Sequence, residues 1–429
     1  MLSLLRQRNF ALLWFGALIS LVGDWMIRVS LPIYIYQLTG STLATGLMFM
    51  AGVLPQILLG SVAGVFVDRW DRKRTMVISN LLLALTLLPV LFVTSVDRLW
   101  IVYGISFISA AIAQFFAPAE HALLPQLVGE KHLLSANALN ILNNNLARLI
   151  GPSLGGAAAV WFGLHTIALI DAASFAVAAG MIALIRVDRS TLPPLPARQK
   201  TTLLASWLGV WREWFAGLML VKRSALVLSL FIVTGIMSFG EGFFPVLFVA
   251  FVKTVLNGTD LDYGWLMSAQ AIGGLIGGLS IGSLGGRVLS SRLLGWSSIL
   301  FGALTLVIFH APSFAAASAL TLVSVLMIIV GVVSVSCRTA LNTLLQQSIA
   351  DEYRGRIYGA YNTLSSCIAL GGMAVAGTLG DIYGIVPIIS IEGYAYILAG
   401  IVALMLIRDV AVGTALPARG QSKPSADVT

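Results

Sequence analysis

The chain has 429 residues, of which 58% are hydrophobic and only 10% charged, where a soluble globular chain carries about 25% charged residues. That composition excludes a water-facing globular protein. The net charge of +8 does not indicate a nucleic-acid binder either, because the basic residues fall in short loops between apolar runs and form no basic domain.

In chain order, the apolar runs predict transmembrane helices at 9–36, 43–66, 75–95, 99–117, 134–161 and 166–186, then at 224–251, 264–285, 293–310, 315–341, 357–380 and 386–407. Most of these runs are near or above the roughly 20 residues a helix needs to span the bilayer. They are continuous, without the two-residue alternation of a barrel strand. Arg6 and Arg8 precede the first run in the manner of a signal peptide. No small-residue cleavage site follows, and the run continues past Asp24 to Tyr36, so a retained first helix is expected. The 42 glycines suit helices that pack closely in lipid. The expected fold is an all-α membrane protein of twelve transmembrane helices in two pseudo-symmetric six-helix bundles, at 1–186 and 224–408. Residues 187–223 form the expected cytoplasmic linker. It opens with Pro193, Pro194 and Pro196, and Trp207, Trp211, Trp214 and Leu218 then follow at the spacing of an interfacial helix. Residues 409–429, polar with Pro, Gly and Ser, read as a disordered tail.

Lysine and arginine set the orientation. With the N-terminus inside, cytoplasmic segments hold 21 of the 26 basic residues. The outer loops hold two, Arg98 and Lys253, and Arg28, Arg148 and Arg338 lie within spans. Both termini are therefore expected in the cytoplasm. The halves also resemble each other at an offset of about 221 residues, which relates 122–142 to 343–364 and Gly151-Pro152 to Gly372-Met373. Such duplication suits two bundles that rock about a midplane site.

Polar groups inside spans point to a cavity. The candidates for the substrate and proton pathway are Asp24, Arg28, Gln56, Gln114, Asn144, Arg148, Glu241 and Gln270. Asn140, Asn144 and Arg148 share one helical face. Asp24 and Arg28, one turn apart, fit an intrahelical ion pair as well as a functional site. Asp171 sits close to the outer end of its span and Glu392 near an end of its own. Asp24 and Glu241 follow Gly23 and Gly240 in the first helix of each half and are expected counterparts. Cys337 and Cys367 lie in apolar runs without metal-ligand spacing, the histidines are scattered, and no phosphate-binding loop is present. No cofactor, metal or enzymatic activity is expected.

Two motifs carry a resemblance. Gly64-Val-Phe-Val-Asp68-Arg69-Trp-Asp71-Arg72-Lys73-Arg74 resembles the loop signature of the major facilitator superfamily. In that family the loop latches the cytoplasmic side closed in the outward-facing state, which implies a latch role for Gly64, Asp68, Arg69 and Arg72. The matching loop of the second half, Gly285-Gly286-Arg287, lacks the aspartate. Gly151-Pro152-Ser-Leu-Gly155-Gly156 resembles the antiporter motif of proton-coupled drug exporters, with Ala147 in place of an upstream glycine. Gly23-Asp24-Trp25, Phe116-Ala-Pro118-Ala, Ser135-Ala-Asn137-Ala-Leu-Asn140, Ile170-Asp171-Ala-Ala-Ser174-Phe175 and Arg354-Gly355-Arg356 extend the likeness over residues 1–408. Within the superfamily they are most similar to macrolide-efflux and enterobactin-exporter-like proteins. Helix 4 lacks the membrane arginine that many drug antiporters place there.

The resemblance implies a monomeric, multi-pass protein of the bacterial inner membrane that exports amphipathic small molecules in exchange for protons. A dedicated exporter of one natural product, a siderophore or a lysophospholipid, is the alternative. A non-transporting receptor or scaffold is a weaker one.

Overall fold

The computed structural model describes residues 2–67, 70–186, 219, 221, 224–284 and 290–407. The expected interfacial helix of the linker, the tail, Gly285-Gly286-Arg287, and Asp68 with Arg69 lie outside the described residues.

The helices are α1 (Arg8–Thr39), α2 (Thr42–Val67), α3 (Arg72–Leu87), α4 (Leu99–Val128) and α5 (Leu133–Ala183), followed by α6 (Ala225–Glu241), α7 (Phe243–Ala250), α8 (Asp260–Leu284), α9 (Ser290–Phe314), α10 (Ala319–Ser348), α11 (Asp351–Tyr383) and α12 (Ile385–Leu406). Among the described residues, eleven continuous segments are long and apolar enough to cross a membrane. The difference from the expected twelve lies in α5. That helix holds two spans, 133–162 and 164–183, which meet at Gly163, where φ of 71° sets a conformation that L side chains rarely adopt. Conversely, α6, α7 and a π-helical turn at Phe251–Val255 make one span. Helices are the expected solution in lipid, since each backbone N–H and C=O must find a partner within its own segment.

Several helices run past their apolar stretches. α4 continues through Pro118 and Pro125 to Val128, and α10 continues to Ser348. Both extensions point toward the end of the bundle that carries the start of α1, here the terminal end. An apolar run marks only the part of a helix that lies in hydrocarbon, so these helices end later than the predicted spans.

In the first half α1 and α3 pack on α5, and α2 packs on α4. In the second, α9 and α6 pack on α12, and α8 packs on α10. The first half has two separate apolar cores. One surrounds Phe10, Met76 and Leu139 toward the terminal end, and the other surrounds Ile35, Val90 and Val102 toward the far end. Exposed Leu85, Phe92, Trp100 and Trp161 face outward, as lipid requires.

Candidate functional site

The halves meet near the far end. A Cβ on Gly156 of α5 would lie 2.6 Å from the Asp260 carbonyl oxygen and 3.2 Å from Gly264 Cα of α8. One on Gly264 would overlap the Pro152 carbonyl oxygen and lie 3.1 Å from Gly156 Cα. The backbones therefore touch, which only glycine allows at both positions. On the other side of the interface α2 crosses α11, where Gly377 sits 3.1 Å (as a built Cβ) from Leu43 Cα. Asp381 of α11 accepts from Ser41 Oγ, Thr42 N and Thr42 Oγ1, each at 2.7 Å. A carboxylate from the second half thus caps the positive N-terminus of a helix in the first. Asp260 adds an ion pair with Lys253 and accepts from Gln37 Nε2 at 3.0 Å.

Below this seal a cavity of about 530 Å³ opens between the halves. α5 contributes Arg148, α8 Gln270, α6 Glu241, α10 Arg338 and Asn342, α11 Tyr361, and α12 Glu392 and Tyr396. Arg148 Nη2 donates to Gln270 Oε1 at 3.2 Å, a bond that crosses from one half to the other. Tyr396 Oη donates to Glu241 Oε1 at 2.9 Å. Ser153 Oγ and Ser268 Oγ, 2.8 Å apart, join the halves one turn further toward the seal.

The structure brings together Arg148, Glu241 and Gln270 of the expected pathway. Asp24 and Arg28 instead form an intrahelical ion pair of 2.7 Å on α1, with Arg28 also stacked over Trp25. Gln114 donates to the Ala110 carbonyl of its own helix at 3.3 Å, and Asn144 to that of Asn140 at 3.0 Å. Gln56 is exposed on α2. None of these five lines the cavity. Arg338, Glu392 and Tyr396 line it without having been singled out for the pathway. The sequence signal for Arg338 was its charge within a span. For Glu392 it was the 221-residue offset from Asp171.

Packing gives the Asp24–Glu241 correspondence a physical form. Gly151 of α5 abuts Val22 and Trp25 of α1, and Gly372 of α11 abuts Phe239 and Gly242 of α6. Asp24 and Glu241 occupy the same place within these two contacts. Asp171 lies deeper than expected, against Gly23 midway along α1.

A family model described as Major Facilitator Superfamily matches residues 13–366 and 230–427. The chain belongs to this superfamily. The chain is 27% identical over 404 residues to an uncharacterized transporter of the superfamily, YfiS of Bacillus subtilis, covering 93% of each. It is 27% identical to the multidrug efflux pump Tap of Mycolicibacterium fortuitum, covering 92% of this chain and 95% of Tap. It is 25% identical to macrolide efflux protein A of Streptococcus pyogenes, covering 93% and 96%. Among solved structures, a point mutant of the nucleoside transporter NupG superposes with a TM-score of 0.78 at 12% identity, over 93% of this chain and all of NupG. A bacterial homologue of the iron transporter ferroportin gives 0.72 at 15% identity, over 93% and 98%. These structural likenesses extend to the superfamily's fold.

The two superfamily motifs fall at different kinds of contact. In the stretch that resembles an antiporter motif, Gly151 and Gly155 fit against α1 within the first half, where a Cβ on Gly155 would come within 2.8 Å of the Met26 backbone. Pro152 and Gly156 instead meet α8 across the interface. The described part of the loop motif docks on its own half. Asp71 Oδ1 caps α3 by accepting from Arg74 N at 2.9 Å, Arg72 donates to the Ala122 carbonyl at 3.3 Å, and Lys73 donates to that of Ile185 at 2.7 Å. Gly64 lies partly buried near the end of α2.

Proposed function

We propose that this transporter exports amphipathic small molecules across the bacterial inner membrane in exchange for protons. The observation that carries the proposal is the polar cavity between the halves, lined by ionisable groups of the second half and by Arg148 of the first, and sealed at the far end. The described basic residues Arg72, Lys73 and Arg74 and the start of α1 lie at the other end, so the positive-inside rule makes the open side cytoplasmic. In this conformation the protein would take substrate from the cell. The two bundles, 1–186 and 224–408, are the moving bodies, linked by 187–223. Rocking them would break the glycine seal and close the cytoplasmic side through the latch loop of Gly64, Asp68, Arg69 and Arg72. The efflux relatives support this direction of transport, and Glu241 in the cavity supplies a carboxylate to exchange protons for substrate.

The test is transport into inverted membrane vesicles, screening dyes, macrolides and siderophores with and without an imposed pH gradient. Gradient-dependent uptake of several chemically unlike compounds is expected. Uptake of one compound only would identify a dedicated exporter. No accumulation of any, by protein shown to be folded, would leave the receptor alternative.

A further inference from the structure

Asp171 and Glu392 stand at the 221-residue offset of the internal repeat, and so do the positive-φ glycines Gly163 and Gly384 that begin their spans. Both acids are buried, at 0% and 4% exposure. Asp171 packs behind Gly23, whose side chain, if it had one, would land on the Asp171 carboxylate and 2.6 Å from Ser174 Oγ. Glu392 packs behind Gly240, whose built Cβ lies 3.3 Å from its carbonyl oxygen. Each of those glycines is followed directly by the other acid of its half, Asp24 or Glu241. The place of the acid behind the glycine has been kept twice, with Asp for Glu in one copy, although Gly23 meets the carboxylate of Asp171 and Gly240 the backbone of Glu392.

Within each pair the two acids sit in unlike surroundings. Asp24 is ion-paired with Arg28, and Glu241 faces the cavity and accepts from Tyr396. Asp171 accepts from Ser174 through Oδ1 at 3.0 Å, and no protein group among the described residues reaches its Oδ2. Glu392 Oε2 likewise has no partner among them, and its side chain lines the cavity. An ionised carboxylate buried with an unpaired oxygen is strongly disfavoured, whereas the neutral acid does not carry that penalty. The charged and titratable groups around Glu392 are Glu241 of α6, Cys337 and Arg338 of α10, Arg148 of α5, Tyr361 of α11 and its own Tyr396. Around Asp171 they are Asp24 and Arg28 of α1.

We infer that each half holds a proton-storage pair, Asp171 with Asp24 and Glu392 with Glu241, in which the buried acid carries the proton and its less buried neighbour passes it on. Release from the second pair moves the proton from Glu392 to the Glu241 carboxylate and then to cavity water. It leaves Glu392 ionised and Glu241 as it began. The inference rests on the proton-exchange proposal and adds to it that the chain carries two exchangeable protons, one per half.

Infrared titration of the full-length protein in lipid tests it without any substrate. Two protonated-carboxyl bands are expected to persist through neutral pH, one lost in Asp171→Asn and the other in Glu392→Gln. Glu241→Gln, which alters no buried packing, is expected to shift the titration of the Glu392 band alone, and Asp24→Asn that of the Asp171 band. In unmutated protein, dicyclohexylcarbodiimide, which attacks protonated carboxyls in apolar surroundings, is expected to mark Asp171 and Glu392 in peptide maps. Absence of both bands and both adducts overturns the pairs, as does a band indifferent to its partner's substitution. Gradient-driven transport alongside that result overturns the pairs alone. Two coupled acid bands with no transport would support the pairs and count against efflux.

Discussion

Glu241 reaches the cavity from α6 and is held by a phenol, Tyr396 Oη at 2.9 Å. An amide in its place still accepts that hydrogen bond, so Glu241→Gln is expected to fold normally but to lose the exchangeable proton. In inverted vesicles it should lose gradient-driven accumulation while keeping substrate exchange at equal pH. Accumulation that still scales with the gradient would move the exchange to another carboxylate. Arg148 invites a different substitution. Its guanidinium meets Gln270 across the halves, so Arg148→Lys keeps the charge but loses the planar donor geometry. Substrate affinity is expected to fall about tenfold, the worth of roughly 1.4 kcal/mol, with folded yield unchanged; unaltered affinity would limit this bond to conformational control. The sequence made Arg148, Glu241 and Gln270 legible because a polar group within an apolar run has few places to go. It did not separate them from Asn144 or Gln114, because a side chain bonded to the carbonyl four residues back satisfies itself without a cavity. Glu392 looked terminal because depth was counted from the end of its own apolar run, whereas its level is set by Gly240, midway along the span opposite.

At the scale of elements, the stretch of α5 that resembles an antiporter motif divides by which neighbour each glycine meets. Gly155 lies 2.8 Å, as a built Cβ, from the backbone of Met26 in its own half, while Gly156 meets Asp260 and Gly264 in the other. Gly155→Val therefore overpacks a fixed contact, at a cost of about 1–3 kcal/mol, and should lower the yield of monodisperse protein on size exclusion. Gly156→Val overpacks a contact that is proposed to open and close, so yield should hold while the far end stays open. Equal losses of yield would make the two contacts equally permanent. The spacing of the motif was legible in the sequence, but this division was not. Adjacent residues on a helix point about 100° apart, and only the placement of α1 and α8 tells which partner each one meets. The helix count was legible for the same reason that the ends were not. Lipid demands long apolar helices, yet it does not stop a helix at its boundary, so α4 and α10 run on beyond it.

For the whole molecule, the proposed alternating access needs a near balance between two closures, and an aspartate is proposed to lock each. Asp381 holds the N-terminus of α2 from the opposite half and stabilises the conformation described here, closed at the far end. Asp68, by its place in the loop motif, is proposed to stabilise the opposite conformation, closed at the cytoplasmic end. A charge-assisted hydrogen bond is worth roughly 1.5–3 kcal/mol, enough to shift a balanced equilibrium at least about tenfold. Asp381→Asn and Asp68→Asn should therefore push the molecule in opposite directions. Ser153 reports the shift, because it is half-buried, faces Ser268 across the interface at 2.8 Å and lies on the cavity side of the seal, out of reach from the far end while the seal is shut. In a background lacking Cys337 and Cys367, Ser153→Cys should react with an impermeant maleimide added to whole cells about tenfold faster when Asp381→Asn is present. It should react correspondingly slower with Asp68→Asn. The two substitutions are proposed to act on separate closures, so their effects should add, and the double variant should return toward the starting rate. Shifts of the same sign would show that one aspartate serves folding rather than closure. Faster labelling of Asp381→Asn in inverted vesicles, but not in whole cells, would reverse the orientation set by the basic loops.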